Sequence, residues 1–128
     1  MIWCVDDDNT IRDIEVYTLT QTGFEAKGFS DGISMLEALK TEKPELIVLD
    51  IMMPGMDGVE VLKEIRNRTD TRKIPVIMAT AKGTEMDKIQ EADLIMFTGG
   101  AIFGINYLNT AQYIEMILNY AAEKRFLL

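Results

Sequence analysis

Short apolar runs alternate with amphipathic segments along most of the chain. Five runs have the length and composition of β-strands. They cover residues 2–5, 24–29, 46–49, 75–80 and 94–97. The run at 46–49, Leu-Ile-Val-Leu, is apolar at every position, which is typical of a central parallel strand buried on both faces.

A helical pattern follows each strand-like run. Residues 9–22 carry Ile11, Ile14 and Leu19 at near-helical spacing, and Asp8 is placed to cap this helix. Further helices are predicted from Asp31 through about 39, around 59–65, and over 84–92 and 108–125. Five βα units in succession predict an α/β fold, a doubly wound sandwich with a five-stranded parallel sheet and helices on both faces.

Charge and composition narrow the classes of function. The 128 residues include 13 basic and 21 acidic ones, a net charge of −8. This balance argues against nucleic acid as a direct partner, since phosphate contacts require a basic face. The chain has no histidine, which excludes Ser-His and Cys-His catalysis, and its single cysteine, Cys4, is predicted to be buried in a strand. Without a visible signal peptide or an apolar run of membrane-spanning length, a cytoplasmic protein without membrane contacts is expected.

Carboxylates stand at the carboxyl ends of the predicted strands. Asp6 and Asp7 follow the first strand, and Asp50 follows the third. In open parallel sheets these ends meet at one edge, where three carboxylates repel each other unless a cation lies among them. Oxygen ligands of this kind suit Mg²⁺. A central aspartate beside the ion can attack a phosphoryl group, and Thr80 at the end of the fourth strand can donate its hydroxyl to a phosphoryl oxygen.

The segments that contain these residues resemble a known family. VDDD at 5–8, LDIMMPGMDG at 49–58 and IPVIMATA at 74–81 closely resemble the receiver domain of bacterial two-component response regulators. The resemblance implies a (βα)₅ flavodoxin-like fold. It also implies that Asp50 is the phosphoacceptor, that Asp7 and Asp50 bind Mg²⁺ directly, that Asp6 acts largely through bound water, and that the carbonyl of Met52 is a further ligand.

The resemblance extends to the phosphoryl group and its source. It implies that the Thr80 hydroxyl and the Ala81 amide contact the phosphoryl oxygens. The phosphodonor would be a histidine kinase, because this chain has no histidine of its own. A receiver is not an enzyme beyond self-phosphorylation and autodephosphorylation.

The resemblance covers about residues 1–90, and residues 91–128 form a divergent final strand, loop and helix of the same single domain. Receivers normally end the fifth strand in Thr-Lys-Pro, whereas Thr98, Gly99 and Gly100 stand here. Loss of that lysine predicts an impaired switch, with Lys82 as a candidate substitute.

Several interpretations stay open for the divergent end. The chain is either a divergent natural receiver or a chimera with another flavodoxin-like protein, which would make it a scaffold without signalling activity. A less favoured alternative is a flavin or small-ligand binder at loop 99–107. No output domain is expected, so output would pass through protein contacts, and a homodimer through the C-terminal elements is a candidate.

Overall fold

The computed structural model describes residues 1–80, the strand at 94–97 and position 119, which is helical. These residues contain the five expected strands and the first three helices. The elements are β1 (Ile2–Val5), α1 (Asn9–Gln21), β2 (Ala26–Phe29), α2 (Gly32–Ala38), β3 (Leu46–Asp50), α3 (Gly58–Asn67), β4 (Val76–Thr80) and β5 (Leu94–Phe97).

The strands form one parallel sheet in the order β2-β1-β3-β4-β5. The register pairs Val5 of β1 with Leu49 of β3, and Asp50 of β3 with Ala79 of β4. Because every pairing is parallel, the carboxyl ends of all five strands lie along one edge. The predicted doubly wound α/β fold is confirmed.

One face of the sheet packs against α2 and α3. Alternate side chains of β1, β3 and β4 point to this face, because successive side chains in a strand point to opposite sides. They share one apolar cluster with the two helices. Its buried members in the strands and in α2 and α3 are Trp3, Val5, Ile47, Leu49, Val76, Met78, Met35, Leu36, Val61, Leu62 and Ile65. Burial of this cluster holds β1, β3 and β4 in place beneath the site.

The opposite face lies beneath α1. Cys4 points to this side and is fully buried, as the sequence predicts. Leu19 of α1 is also fully buried, but Ile14 is 40% exposed and the buried position nearest to it belongs to Glu15. The predicted helix is therefore correct, while its buried face is rotated away from Ile14.

Three aspartates cap the three helices. Asp8 accepts hydrogen bonds from the amides of Thr10 and Ile11, and Asp31 accepts one from the amide of Ser34. Asp57 and Glu60 form a reciprocal capping box at the start of α3. The caps predicted at Asp8 and Asp31 are confirmed.

Some predicted boundaries are wrong by one or two residues. β2 begins at Ala26 rather than at 24, and β4 begins at Val76 rather than at 75. The second helix ends at Ala38, and Leu39 is its C-cap. The predicted helix 84–92, the loop 99–107 and all but position 119 of the predicted helix 108–125 lie outside the described residues. Among the described helices, none has the length and apolar character needed to cross a bilayer.

Candidate metal and phosphoacceptor site

Three carboxylates meet at the carboxyl edge of the sheet. β1 and β3 are neighbours with Val5 opposite Leu49, so Asp6 and Asp50 follow the paired residues side by side. One carboxylate oxygen from each of Asp6, Asp7 and Asp50 lies within 4.8 Å of the others. The structure thus brings together the three carboxylates that the sequence predicts, at a spacing that a single cation can bridge.

Burial differs among the three aspartates. Asp6 is buried, Asp50 is half-buried and Asp7 is exposed. Burial, and then the charge of Asp6, raise the pKa of Asp50 to about 7, against a hydrogen bond from the Met52 amide that lowers it. Burial also raises the pKa of Asp6. Both shifts arise because negative charge is costly in a partly buried cluster of like charges.

The turn between β1 and α1 is fixed by hydrogen bonds. The amide of Asp6 donates to the carbonyl of Phe29 at 3.1 Å, and the amide of Asp8 donates to the carboxylate of Asp6 at 2.9 Å. Arg12 donates from Nη1 to the carbonyl of Asp6 at 2.7 Å. The backbone of Asp6 is therefore held from β2 on one side and from α1 on the other.

The loop after Asp50 closes back on its own start. The amide of Met53 donates to the carbonyl of Ile51 at 3.2 Å, and the amide of Gly58 donates to the same carbonyl at 2.9 Å. The turn between them requires Gly55, whose φ of +79° lies in the left-handed region that favours glycine. The start of α3 is in this way tied to the end of β3, next to the acceptor carboxylate.

Of the remaining predicted site residues, the structure describes Met52 and the backbone of Thr80. Thr80 ends β4, one residue after the partner of Asp50, so its backbone lies at the same edge. Its side chain, together with Ala81 and Lys82, lies outside the described residues. Met52 follows Asp50 by two positions and is 58% exposed, and its predicted role as a carbonyl ligand stays a prediction.

Two residues that hold the site were missed from the sequence. Arg12 binds the carbonyl of Asp6, and Gly58 contacts the backbone of Asp50. For Arg12, the signal is a basic residue one helical turn after an acidic run. For Gly58, the signal is the aspartate-glycine pair at 57–58, because it follows the strand of Asp50 after one short loop.

Comparisons with known proteins agree with this geometry. The sequence profile of the response regulator receiver domain matches residues 2–98. The chain belongs to this family. The prediction of a two-component receiver domain is confirmed, and the match runs past residue 90, where the sequence places the end of the resemblance. Membership makes the chain a regulatory module, while autophosphorylation stays a prediction.

A curated relative and several solved structures resemble this receiver domain. The chain is 41% identical over 93 residues to the alkaline phosphatase synthesis transcriptional regulatory protein PhoP of Bacillus subtilis, and the match covers 73% of this chain and 38% of the relative. The chain thus spans about two-fifths of the length of that relative.

Among solved structures, the receiver domain of NtrX from Brucella abortus superposes with a TM-score of 0.75 at 27% identity, covering 96% of this chain and 98% of that one. The N-terminal domain of a response regulator receiver protein from Methanoculleus marisnigri gives 0.69 at 31% identity, covering 93% of each. TrrA from Thermotoga maritima, solved in complex with Mg²⁺-BeF, gives 0.73 at 27% identity, covering 92% and 96%.

Proposed function

We propose that this receiver domain is the phosphoacceptor module of a two-component phosphorelay, in which Asp50 takes a phosphoryl group from a histidine kinase in the presence of Mg²⁺. The observation that supports this most strongly is the convergence of Asp6, Asp7 and Asp50 within 4.8 Å at the carboxyl edge of the sheet. Family membership and the resemblance to TrrA, solved with Mg²⁺-BeF, support the same proposal.

The carboxylate cluster fits a hard divalent cation. Its donors are all oxygens, as Mg²⁺ prefers, and burial together with the neighbouring charge of Asp6 raises the pKa of Asp50 to about 7. Asp7 and Asp50 would bind the cation directly, Asp6 through water, and the carbonyl of Met52 would be a further ligand. When bound, the cation would offset the negative charge that develops on the phosphoryl oxygens.

The chemistry assigned to Asp50 is nucleophilic attack. A carboxylate oxygen of Asp50 forms a bond to phosphorus, the bond from phosphorus to the donor histidine nitrogen breaks, and its electron pair leaves with the imidazole. The product is an aspartyl phosphate. The closed loop of residues 51–58 keeps the carboxylate at the sheet edge, and the Thr80 hydroxyl and Ala81 amide are assigned to the phosphoryl oxygens.

Phosphorylation is proposed to be slowed and the switch that follows it to be impaired. Gly99 stands where receivers carry the lysine that pairs with the phosphoryl group, so one charge-assisted hydrogen bond, worth about 1.5–3 kcal/mol, is missing. Gly99→Lys is expected to raise the phosphorylation rate several-fold, with Gly100→Lys as the matched control for added charge. Equal rates in both variants would contradict this assignment.

Incubation with phosphoramidate, a small donor with a phosphorus–nitrogen bond, tests the acceptor function. The expected result is a phosphorylated species that requires Mg²⁺ and is absent from Asp50→Asn. Asp13→Asn on the exposed side of α1 is the control and should be phosphorylated normally. A wild-type chain that stays unmodified at saturating donor and Mg²⁺ would instead favour a folded scaffold without signalling activity.

A further inference from the structure

Arg12 lies in the first turns of α1, beside the acidic cluster. Its Nη1 donates to the carbonyl oxygen of Asp6 at 2.7 Å, and its Nη2 donates to the side-chain oxygen of Asn9 at 2.5 Å. A guanidinium group is planar and presents its N–H donors in a rigid fork. One side chain therefore joins the end of β1 to the start of α1 across the turn that carries Asp7.

The stem of Arg12 occupies space that β2 leaves free. A β-carbon on Gly28 would lie 2.9 Å from both Cγ and Cδ of Arg12, closer than such atoms approach without displacement. Gly28 is the partner of Cys4 in the β1–β2 register. The absence of a side chain at Gly28 is therefore what lets the arginine pass over the edge strand to reach Asp6.

We propose that Arg12 is a positioning residue of the acidic site, which fixes the turn of residues 6–9 so that the carboxylates of Asp6 and Asp7 converge on Asp50. This inference rests on the proposed function, because the cluster it positions is the proposed Mg²⁺ site. Residues that orient the ligands of a metal commonly change metal affinity by about 10–100-fold when they are replaced.

The charge of Arg12 and its positioning role predict opposite effects on Mg²⁺ affinity when the side chain is removed. Arg12 is a cation near the cluster, and its charge offsets a part of the rise that burial causes in the pKa of Asp6. If its charge were its only effect, removal of Arg12 would tighten Mg²⁺ binding, since a positive neighbour repels the incoming cation. If Arg12 positions the turn, its removal weakens Mg²⁺ binding. The sign of the change separates the two roles.

Calorimetric titration with MgCl₂ at constant pH and ionic strength measures that sign. Arg12→Met removes the donors and keeps an apolar stem, and its Mg²⁺ affinity is expected to fall about tenfold. Arg12→Lys keeps the charge but not the fork, so its affinity should fall with that of Arg12→Met rather than match the wild type. Lys63→Met on the exposed side of α3 removes one positive charge elsewhere and should stay within about twofold of the wild type.

Gly28→Ala is expected to displace the side chain of Arg12 without replacing the arginine itself. The new methyl group would displace the stem of Arg12 and break its hold on Asp6, so Mg²⁺ affinity should fall in the wild-type background. In an Arg12→Ala background the methyl group meets no stem, and the same change should then have little further effect. Such non-additivity is what a double-mutant cycle detects for residues in contact.

The outcomes separate this inference from the proposed function. Arg12→Met and Gly28→Ala proteins that give native far-UV circular dichroism and bind Mg²⁺ as tightly as the wild type, or more tightly, overturn the role of Arg12 and leave the Mg²⁺ site intact. A wild-type chain that binds no Mg²⁺ overturns the site itself. If Arg12→Met does not fold, the affinity of Gly28→Ala decides: a loss supports the positioning role, and an unchanged value overturns it.

Discussion

A β-carbon on Gly58 would lie 2.2 Å from the carbonyl oxygen of Asp50, so the first residue of α3 and the last residue of β3 are in direct backbone contact. The amide of Gly58 donates to the carbonyl of Ile51 at 2.9 Å. Glycine at this position brings the two ends of loop 51–57 together. The acceptor carboxylate is therefore carried by a closed loop whose shape depends on the absence of a side chain at residue 58.

Gly58→Ala is expected to destabilise the fold and disturb the site. The obstructing atoms belong to the backbone of Asp50 and Ile51, which cannot rotate away as a side chain can. The free energy of unfolding, measured by urea denaturation, should fall by about 1–3 kcal/mol, as for other overpacked positions. Lys63→Ala, exposed on the same helix, should change it by about 0.5 kcal/mol or less. Equal stabilities of the two variants would show that α3 moves aside freely.

Most of the fold could be predicted from the sequence, because the strand runs, the helix caps and the apolar pattern all indicate the same elements. The runs of residues 2–5 and 46–49 end in acidic residues, helices begin at capping aspartates, and the run of residues 46–49 is apolar throughout. The parallel sheet then places Asp6 and Asp50 side by side, because strands that pair in parallel end at the same edge. The placement of Asp6 beside Asp50 thus follows from topology, whereas the position of Asp7 depends on the turn that follows β1.

The features that could not be predicted from the sequence depend on packing at single positions. Periodicity placed α1 correctly, but Glu15 is buried where an apolar residue would be expected, and Ile14 is 40% exposed. Gly58 approaches the backbone of Asp50, and the side chain of Arg12 approaches Gly28, so each contact joins two separate elements. A sequence signal can point to Arg12 or Gly58, but only the folded structure shows which atoms of another element each residue approaches.

The pKa of Asp50 makes a prediction about stability and pH. In the metal-free protein this pKa is raised from 3.8 to about 7, chiefly by burial. Since the folded-state pKa exceeds the unfolded one, the carboxyl costs no stability below about pH 4, costs increasingly more as the pH rises to about 7, and costs a constant amount above that. Asp50→Asn should therefore be more stable than the wild type at pH 8, by on the order of 1–2 kcal/mol after allowance for solvent screening.

The difference in unfolding free energy between Asp50→Asn and the wild type reports on the Asp50 carboxyl, because the other titrating residues are the same in both proteins. Without Mg²⁺, the gap in unfolding free energy should shrink as the pH falls from 8 to about 4. With saturating Mg²⁺ the order should reverse, because the wild type then gains binding energy that the amide cannot supply. Parallel stability curves for the two proteins across this range, without Mg²⁺, would contradict the assigned pKa of Asp50.

Cys4 offers a probe of global unfolding. The chain has one cysteine, its side chain is fully buried, and burial raises its pKa well above the usual value, reinforced by the neighbouring carboxylate of Glu15. Because the thiolate is the reactive form, Cys4 should react with a thiol reagent such as Ellman's reagent roughly a hundredfold more slowly in the native protein than in denaturant. Lys63→Cys should add one fast-reacting thiol under native conditions. Rapid reaction of the wild type would show that Cys4 is accessible without unfolding.

Identification of the residue that carries the phosphoryl group is the most direct test of Asp50 as the phosphoacceptor. After reaction with phosphoramidate and Mg²⁺, an aspartyl phosphate can be reduced by borohydride to homoserine, which peptide mass spectrometry locates in the sequence. Modification is expected at Asp50 alone, dependent on Mg²⁺ and unaffected by Asp13→Asn. Modification at Asp6 or Asp7, or none at any aspartate in a folded and Mg²⁺-saturated protein, would contradict it.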